Sequence, residues 1–246
     1  MSKWLIDCHF HLDYYKNHAE LYQMINNMEQ YTLCMTNSPG VYLSCSRLYK
    51  ETTYLKFALG FHPQNAELSK KGFEDFLKLY SQAKYIGEVG LDFSSTHYFD
   101  KELQLYCFEE IVKKCASDNK LLSVHLRHSE NDAISILDTY KPGKCIIHWF
   151  TGSPSHLQKL IDIGCYFSIN CNMFSNQRKL AMLSHIPPDK ILVESDGPFT
   201  KVDGKKFSPE MLEKAYQRIA IGLNDRDLVA HVYANFKRIL TASMPL

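Results

Sequence analysis

The chain lacks the cysteine spacings of zinc fingers and redox motifs. Its eight cysteines include no Cys-x-x-Cys pair, and several lie inside apolar runs, as Cys145 does before Ile146 and Ile147. Buried free thiols are typical of proteins from reducing compartments. We therefore expect structural cysteines in an intracellular, cytoplasmic protein.

A secretory leader and long apolar runs are also lacking. The segment from Met1 to Asp7 is too short and too soon interrupted to be a signal peptide, and no apolar run approaches the length of a membrane span. The sequence therefore predicts a soluble protein with no membrane partner.

A strong charge of either sign is absent, since 28 Lys and Arg face 27 Asp and Glu and the net charge is +1 with His neutral. Sequence-independent binding along a duplex depends on many phosphate contacts, so a broad DNA-coating surface is not expected. A small pocket that binds a few phosphates remains compatible with this charge. No Pro/Gly/Ser-rich linker, charge block or repeat divides the chain, and we predict one domain over residues 1–246.

Short apolar runs alternate with helical patterns throughout. Eight runs are predicted as strands: Trp4–His9, Tyr31–Thr36, Tyr54–Gly60, Tyr85–Gly90, Leu121–Leu126, Lys144–Trp149, Tyr166–Ile169 and Lys190–Ser195. Helical spacing is found in Asn17–Gln30, Gly72–Ala83, Asp100–Asp118, Ser129–Thr139, Ser155–Ile163, Met211–Ile221 and Asp225–Leu240, and more weakly in Ser38–Thr52. This alternation predicts an α/β fold, a (β/α)8 TIM barrel.

Ligand-type side chains follow the predicted strands at their C-terminal ends. His9 and His11 are two residues apart, so an extended chain presents both on one face; alone, this pair is equally compatible with a polar strand end. The other side chains are His62 after strand three, Glu88 on strand four, His125 on strand five, His148 on strand six and Asp196 after strand eight. Because active sites of such barrels lie at this rim, we expect these side chains to converge.

The chemistry of this set indicates metal-dependent hydrolysis. Imidazoles with carboxylates suit zinc, manganese, iron or a similar divalent ion better than calcium. Four imidazoles and two carboxylates exceed the needs of one catalytic ion that keeps an open position. They fit two divalent ions, with zinc, manganese and magnesium as candidates, and with one bridging carboxylate. Such a pair activates water and stabilises the attacking and leaving oxygens of a phosphoester.

Seven short motifs, in order and mostly at predicted strand ends, then carry a resemblance to a known family. They are Asp7–Leu12, Gly60–Pro63, Ile86–Asp92, Val124–Arg127, Ile147–Ser153, Val193–Pro198 and Asn235–Arg238. Together they resemble the TatD family of metal-dependent hydrolases, an amidohydrolase-like group whose members include DNases.

The resemblance implies a role for each ligand-type residue. It implies that one ion is held by His9, His11, Glu88 and Asp196, and the second by Glu88, His125 and His148. It also implies that His62 and Arg127 handle the scissile phosphate. The chain departs from the family's usual pattern in Ser94–Asp100 and in Glu194-Ser-Asp-Gly-Pro198, which affects the substrate rim more than the metal positions.

Several neighbouring residues have two interpretations. His62 precedes a proline and either shapes a turn or contacts phosphate or water. Arg127 either binds phosphate in a bidentate manner or pairs with a loop acid. Trp149 and Phe150 either stack on a base of the substrate or pack in the core or at the rim.

Other polar residues near the motifs are assigned supporting or surface roles. Asp7 is interpreted as an outer-shell or fold-forming residue, Glu194 as a residue that orients a histidine, and Asp92 as a loop former. Arg178, Lys179 and Lys201 follow the last strands and either meet a DNA backbone or form a solvated face. The remaining histidines, His128 among them, are expected at the surface.

The predicted activity is hydrolysis of phosphodiester bonds in DNA, from a single strand or a strand end in the manner of an exonuclease. The catalytic residues are Asp196 as general base, Glu88, His62 and Arg127. One alternative is a metal-dependent hydrolase of small molecules, although Glu88 occupies the position at which many amidohydrolases bridge their metals with a modified lysine. Another is a TatD-like subunit that acts with an unknown protein partner.

Overall fold

The computed structural model describes residues 4–65, 68–94, 100–174 and 177–242. Eight parallel strands follow one another in chain order around a nearly closed barrel. They are β1 (Ile6–Phe10), β2 (Tyr31–Cys34), β3 (Leu55–Phe61), β4 (Tyr85–Asp92), β5 (Leu121–Arg127), β6 (Cys145–His148), β7 (Tyr166–Ile169) and β8 (Ile191–Val193). The predicted TIM barrel is confirmed, and the predicted strand ends differ from the observed ones by at most two residues.

The barrel closes between β1 and the chain that follows β8. Phe10 and Gly197 form a parallel bridge. The amide of Asp196 donates to His9 O at 2.8 Å, and the amide of His11 donates to Gly197 O at 2.9 Å. Asp196 adopts the left-handed backbone conformation with φ +47°, which aspartate tolerates better than most residues. The same backbone contacts therefore close the barrel and bring His9, His11 and Asp196 together.

Helices cover the outside of the barrel. In the described part of the chain they are α1 (His18–Asn27), α2 (Pro39–Leu48), α3 (Lys70–Tyr80), α4 (Lys101–Asp118), α5 (Glu130–Tyr140), α6 (Pro154–Ile163), α7 (Gln177–Leu183), α8 (Leu212–Leu223) and α9 (Leu228–Thr241). Serine caps fix several starts: the Ser153 hydroxyl accepts from the His156 amide with Pro154 in the first turn. The weak pattern after Ser38 is a full helix, capped by Ser38 in the same way, and α7 was not predicted.

Helix α4 links the outer layer to the rim. Its buried face contains Cys107, Phe108, Ile111, Val112 and Cys115, as its 3–4 spacing predicts. Gln104 is buried on the same helix, and its side chain accepts from the Asp92 amide at 2.9 Å and donates to the Asp92 carbonyl at 3.2 Å. These two bonds hold the backbone at the end of β4.

A short antiparallel hairpin follows β8, formed by β9 (Lys201–Val202) and β10 (Lys205–Lys206). It was not predicted, because its strands are only two residues long. It lies beyond the C-terminal end of β8. The side chain of Arg178 and residues 95–99 lie outside the described residues.

All eight cysteines are free, and all but Cys171 are buried. The predicted free, largely buried thiols are therefore confirmed. Across the described ranges, none of the helices is both long and apolar enough to cross a membrane.

Candidate metal centre

Glu88 lies at the centre of the cavity at the C-terminal end of the barrel. It is 4% exposed and is carried by β4, whose residues are all buried. Gly87 and Gly90 flank it with φ +156° and +151°, a backbone region that favours glycine. A Cβ at Gly90 would lie 1.9 Å from His125 O. Glycine therefore allows β4 to approach β5 closely enough to place Glu88 beside His125.

One side of Glu88 faces the ends of β1 and β8. Its Oε2 lies 3.6 Å from His9 Nε2 and 3.4 Å from His11 Nε2. Asp196 Oδ1 lies 3.8 and 3.5 Å from the same two nitrogens, which are 3.1 Å apart. Two imidazole nitrogens and two carboxylate oxygens thus converge on one point, and all four residues are buried.

The other side of Glu88 faces β3, β5 and β6. Its Oε1 lies 2.9 Å from His125 Nδ1, 3.0 Å from His148 Nε2 and 3.3 Å from His62 Nε2. His62 Nδ1 also accepts from the Gln64 amide at 3.0 Å. The turn interpretation of His62 agrees with this bond, and its other ring nitrogen points into the cavity, where contact with phosphate or water stays a prediction.

These donor sets have the chemistry that a divalent ion requires. Among the residues that the structure describes, three groups have ligand atoms within 4.8 Å of one another: His9, His11 and Asp196; His9, Glu88 and His148; His62, Glu88 and His125. Around Glu88 and Asp196, imidazole nitrogens and carboxylate oxygens face one another in a buried cavity, and nitrogen and oxygen donors of this mix suit zinc, manganese or iron. The residues present therefore fit bound metal.

Burial and neighbouring charges set the ionisation of the ligands. Burial lowers the pKa of His9 to about 3. Burial alone would lower the pKa of His11 too, but hydrogen bonds to Asp196 and Glu88 raise it to about 10. Burial disfavours the ionised form of Glu88, yet nearby imidazoles such as His62 hold the pKa of this carboxyl well below its usual range. Glu88 is therefore a carboxylate, the form that bridges cations.

Two further carboxylates contact the ring nitrogens that face away from Glu88. Asp92 Oδ2 lies 3.0 Å from His125 Nε2, and Glu194 Oε2 lies 3.5 Å from His148 Nδ1. Glu194 is fully buried and also accepts from Ser168 Oγ at 2.5 Å and Asn170 Nδ2 at 3.0 Å. The assignment of Asp92 to loop formation was incomplete. Its Oδ1 accepts from the Ser94 amide in the loop, but its Oδ2 contacts His125 Nε2.

The carboxylate of Asp7 accepts hydrogen bonds from two backbone amides. Its Oδ1 accepts from the Ser195 amide at 2.8 Å and from the His9 amide at 3.3 Å. Burial raises the pKa of this carboxyl to about 7. The fold-forming role expected for Asp7 agrees with these contacts, because they tie the end of β1 to the chain after β8.

The cavity above Glu88 has a volume of about 790 Å³, which lies in the range of ligand pockets. Arg127, His128, Trp149 and Lys179 line it on the side of β5 to β7. Arg127 is exposed, and within the described ranges its guanidinium makes no ion pair, so the alternative interpretation, a pairing with a loop acid, finds no support there. Arg127 and Lys179 thus form a cationic wall beside the candidate metal ligands.

The two aromatic residues predicted for base stacking are placed differently. Trp149 lines the cavity, in a left-handed conformation with φ +38°. Phe150 is 2% exposed and packs against Phe167 with ring centroids 6.1 Å apart. It lines a smaller neighbouring cavity of about 320 Å³ together with Met173 and Met182. Of the two, only Trp149 lines the cavity that contains the candidate metal ligands.

Two other aromatic residues at the mouth were missed by the sequence reasoning. Tyr14 and Phe199 line the main cavity and are 45% and 51% exposed. Tyr14 follows β1 and Phe199 follows β8, so they are far apart in sequence. The sequence contained a signal for their position at the cavity, because Tyr14 lies three residues after the candidate ligand His11 and Phe199 three residues after the candidate ligand Asp196.

Comparisons with known proteins agree with this site. A family model described as TatD related DNase matches residues 6–241. The chain is 31% identical over 160 residues to the deoxyribonuclease Tat-D of Schizosaccharomyces pombe, a match that covers 58% of this chain and 51% of that protein. This chain thus spans about half the length of that relative. It is 28% identical over 258 residues to the uncharacterized metal-dependent hydrolase YcfH of Escherichia coli K12, covering 96% of this chain and 95% of that protein.

Among solved structures, the TatD homolog YJJV of Escherichia coli K12 has the same fold. It matches with a TM-score of 0.84 at 17% identity, over 96% of this chain and 97% of that one.

Proposed function

This chain belongs to the TatD related DNase family, and on that premise we propose that it hydrolyses phosphodiester bonds in DNA with two divalent metal ions. The observation that carries the proposal is the division of Glu88 between two donor sets. Its Oε2 faces His9 and His11, and its Oε1 faces His125 and His148. A carboxylate shared in this way suits a two-ion site.

Each donor set has its own residues. His9, His11 and Asp196 would hold one ion with Glu88 Oε2, and His125 and His148 would hold the other with Glu88 Oε1. When bound, the ions supply an activated water and neutralise charge on the phosphoryl oxygens.

The other residues of the cavity orient the substrate and transfer the proton. Asp196, a buried carboxylate beside both histidines of β1, accepts the proton of the attacking water. Arg127 reaches the non-bridging oxygens of the phosphate with its planar fork of donors. His62 directs its Nε2 into the cavity and contacts the same phosphate or the water.

The shape of the cavity favours a strand end. The ligands are buried at the bottom of a pocket, with Glu88 and Asp196 each about 4% exposed, so the middle of a rigid duplex cannot reach them without deformation. A flexible single-stranded end enters more easily. The net charge of +1 also supports contact with few phosphates. We therefore favour an exonuclease that acts on single strands or strand ends.

The test uses single-stranded DNA carrying a label at either end, together with metal analysis of the purified protein. We expect metal-dependent release of nucleotides by the wild type, and loss of release with reduced metal content in Glu88→Ala. Asp196→Asn should reduce the rate by about 100-fold or more, as for removal of a general base. Asp75→Asn on α3 serves as the control, because this carboxylate is exposed and pairs only with surface lysines among the described residues.

The same proteins are assayed on a panel of amides, lactones and phosphomonoesters. Wild-type protein that is loaded with metal and releases no nucleotide contradicts the proposal. Turnover in the small-molecule panel, lost in Glu88→Ala, would then identify a small-molecule hydrolase.

A further inference from the structure

Tyr14 and Phe199 form an exposed aromatic pair at the mouth of the cavity. Their ring centroids are 5.0 Å apart with an interplanar angle of 67°. Each ring is about half exposed, and both border the same space as the metal ligands. Large apolar side chains that stay exposed beside a functional cavity mark a contact surface for a ligand.

The pair is held in position before any ligand arrives. The Tyr14 hydroxyl accepts from Asn37 Nδ2 at 3.1 Å. The Phe199 amide donates to Asp196 O at 2.8 Å, so its backbone is tied to a metal ligand. Both rings meet the His11 ring edge-on, at centroid distances of 5.5 and 5.4 Å. A fixed aromatic surface loses little conformational freedom on binding.

The barrel places this pair across the cavity from Arg127. Tyr14 follows β1 and Phe199 follows β8, and these strands are neighbours at the closure. Arg127 is the last residue of β5, which is half-way around the strand order from the closure. Lys179 lies on α7, between β7 and β8, and lines the same cavity. A ligand that spans the mouth therefore meets aromatic rings on one side of the metal ligands and positive charge on the other.

We propose that Tyr14 and Phe199 form a stacking platform for the unpaired nucleobase next to the scissile phosphate. The inference rests on the proposed nuclease function and names the part of the substrate that this wall binds. A base presents a flat apolar face at every sequence, so stacking gives affinity without sequence preference. A paired base inside a duplex has both faces covered by its neighbours. The platform therefore selects frayed or single-stranded ends.

The opposing explanation is that the two rings only hold His11 in place. The two roles differ in one respect. A stacking platform acts only when the substrate carries a base at that position, whereas support of His11 affects every substrate equally. A strand whose terminal nucleotides lack bases separates the two roles.

The experiment compares a fully based single strand with an otherwise identical strand that carries stable abasic nucleotides at both ends. Wild-type, Tyr14→Ala and Phe199→Ala proteins are assayed for cleavage on both strands. On the based strand we expect KM to rise about tenfold in each variant, within the range of stacking contributions, with kcat less affected. On the abasic strand the wild type should be as weak as the variants, so that the differences vanish.

Three controls complete the design. Tyr106→Ala removes an aromatic ring of similar exposure, 56%, from the outer helix α4. It should leave KM and kcat unchanged on both strands. Phe199→Trp and Tyr14→Phe keep the rings and should retain wild-type preference. The metal content of all variants is measured to show whether His11 is still held in place for metal binding.

Equal losses on based and abasic strands overturn the platform, as does the absence of any loss on the based strand. Binding of the metal-loaded proteins to strands protected by terminal phosphorothioate linkages is measured in parallel by fluorescence anisotropy. If the wild type cleaves nothing, the nuclease proposal fails, and the platform stands only if the based strand binds more tightly than the abasic one. Equal affinity for the based and abasic strands overturns the platform.

Discussion

The carboxylate of Asp92 is paired with the imidazole of His125, with Oδ2 and Nε2 3.0 Å apart. The pair leaves His125 Nδ1 directed at Glu88 Oε1, at 2.9 Å. Although burial disfavours ionisation of Asp92, the hydrogen bond from His125 holds the pKa of this carboxyl below its usual range. A carboxylate behind a histidine fixes its tautomer and makes it a better ligand.

Asp92→Asn should therefore weaken the site without removing a ligand. We expect metal affinity or activity to fall about 10- to 100-fold, as for other outer-shell carboxylates. Glu194→Gln should act similarly through His148. The measurement is metal titration of the stripped protein, with Asp75→Asn as the exposed control. Unchanged affinity in Asp92→Asn would mean that the pairing has no influence on the ligand.

Removal of metal should lower the thermal stability of the protein. Ions that bind only the folded state stabilise it by about 2.7 kcal/mol when their concentration is 100 times Kd. For a chain of this length that corresponds to a Tm decrease of roughly 5–10 °C on addition of chelator. Glu88→Ala, which lacks the shared carboxylate, should show a much smaller decrease. Scanning calorimetry with and without chelator measures the effect, and equal decreases in both proteins would contradict it.

Phe150 and Trp149 should respond differently to substitution by alanine. Phe150 is buried against Phe167, and its loss should cost about 3–5 kcal/mol of stability. Trp149 is partly exposed and borders the cavity, so its loss should reduce activity more than stability. Urea unfolding and nucleotide release are compared for the two variants. A stable, inactive Phe150→Ala protein would restore Phe150 as a substrate-binding residue.

The protein should lose stability at alkaline pH because of its buried thiols. Burial raises the pKa of Cys115 to about 12 from 9.0, so the folded state keeps this proton after the unfolded state has lost it. The stability is fully present below pH 9 and decreases as the pH rises toward 12. At pH 10.5 this thiol alone accounts for a loss of about 2 kcal/mol.

Urea unfolding at pH 8 and pH 10.5 measures the decrease. Cys115→Ala should show a smaller difference between the two pH values than the wild type. An identical difference in both proteins would show that Cys115 does not contribute.

The fold was largely predictable, because its information is local. Each strand of the barrel is a short apolar run, and the face of α4 is a simple 3–4 repeat. The convergence of the ligand-type side chains was predictable because β-strand ends share one rim, and their assignment to metal ions stays a prediction. The hairpin Lys201–Lys206 was missed, since strands of two residues carry no periodic signal. The one-domain organisation, the metal identity and the cellular compartment stay predictions.

The contacts that the sequence reasoning missed form between strands and loops that are far apart in the sequence. The second contact of Asp92 arises only when β4 and β5 pair and the His125 ring is oriented. The Tyr14–Phe199 pair arises only when the barrel closes between β1 and β8. The sequence left stacking and packing open for both Trp149 and Phe150, because neighbours at a strand end point to opposite sides and the sequence does not say which of the two faces the cavity.

The closure of the barrel also determines when the site comes into existence during synthesis. His9 and His11 leave the ribosome early, whereas Asp196 and Gly197, whose backbones bond to the end of β1, emerge only after most of the chain. A nascent or truncated chain that ends before β8 has histidines without their carboxylate partner. Any metal it captures is held by an incomplete ligand set, so the hydrolysis proposed above could not begin before translation of the barrel is nearly finished.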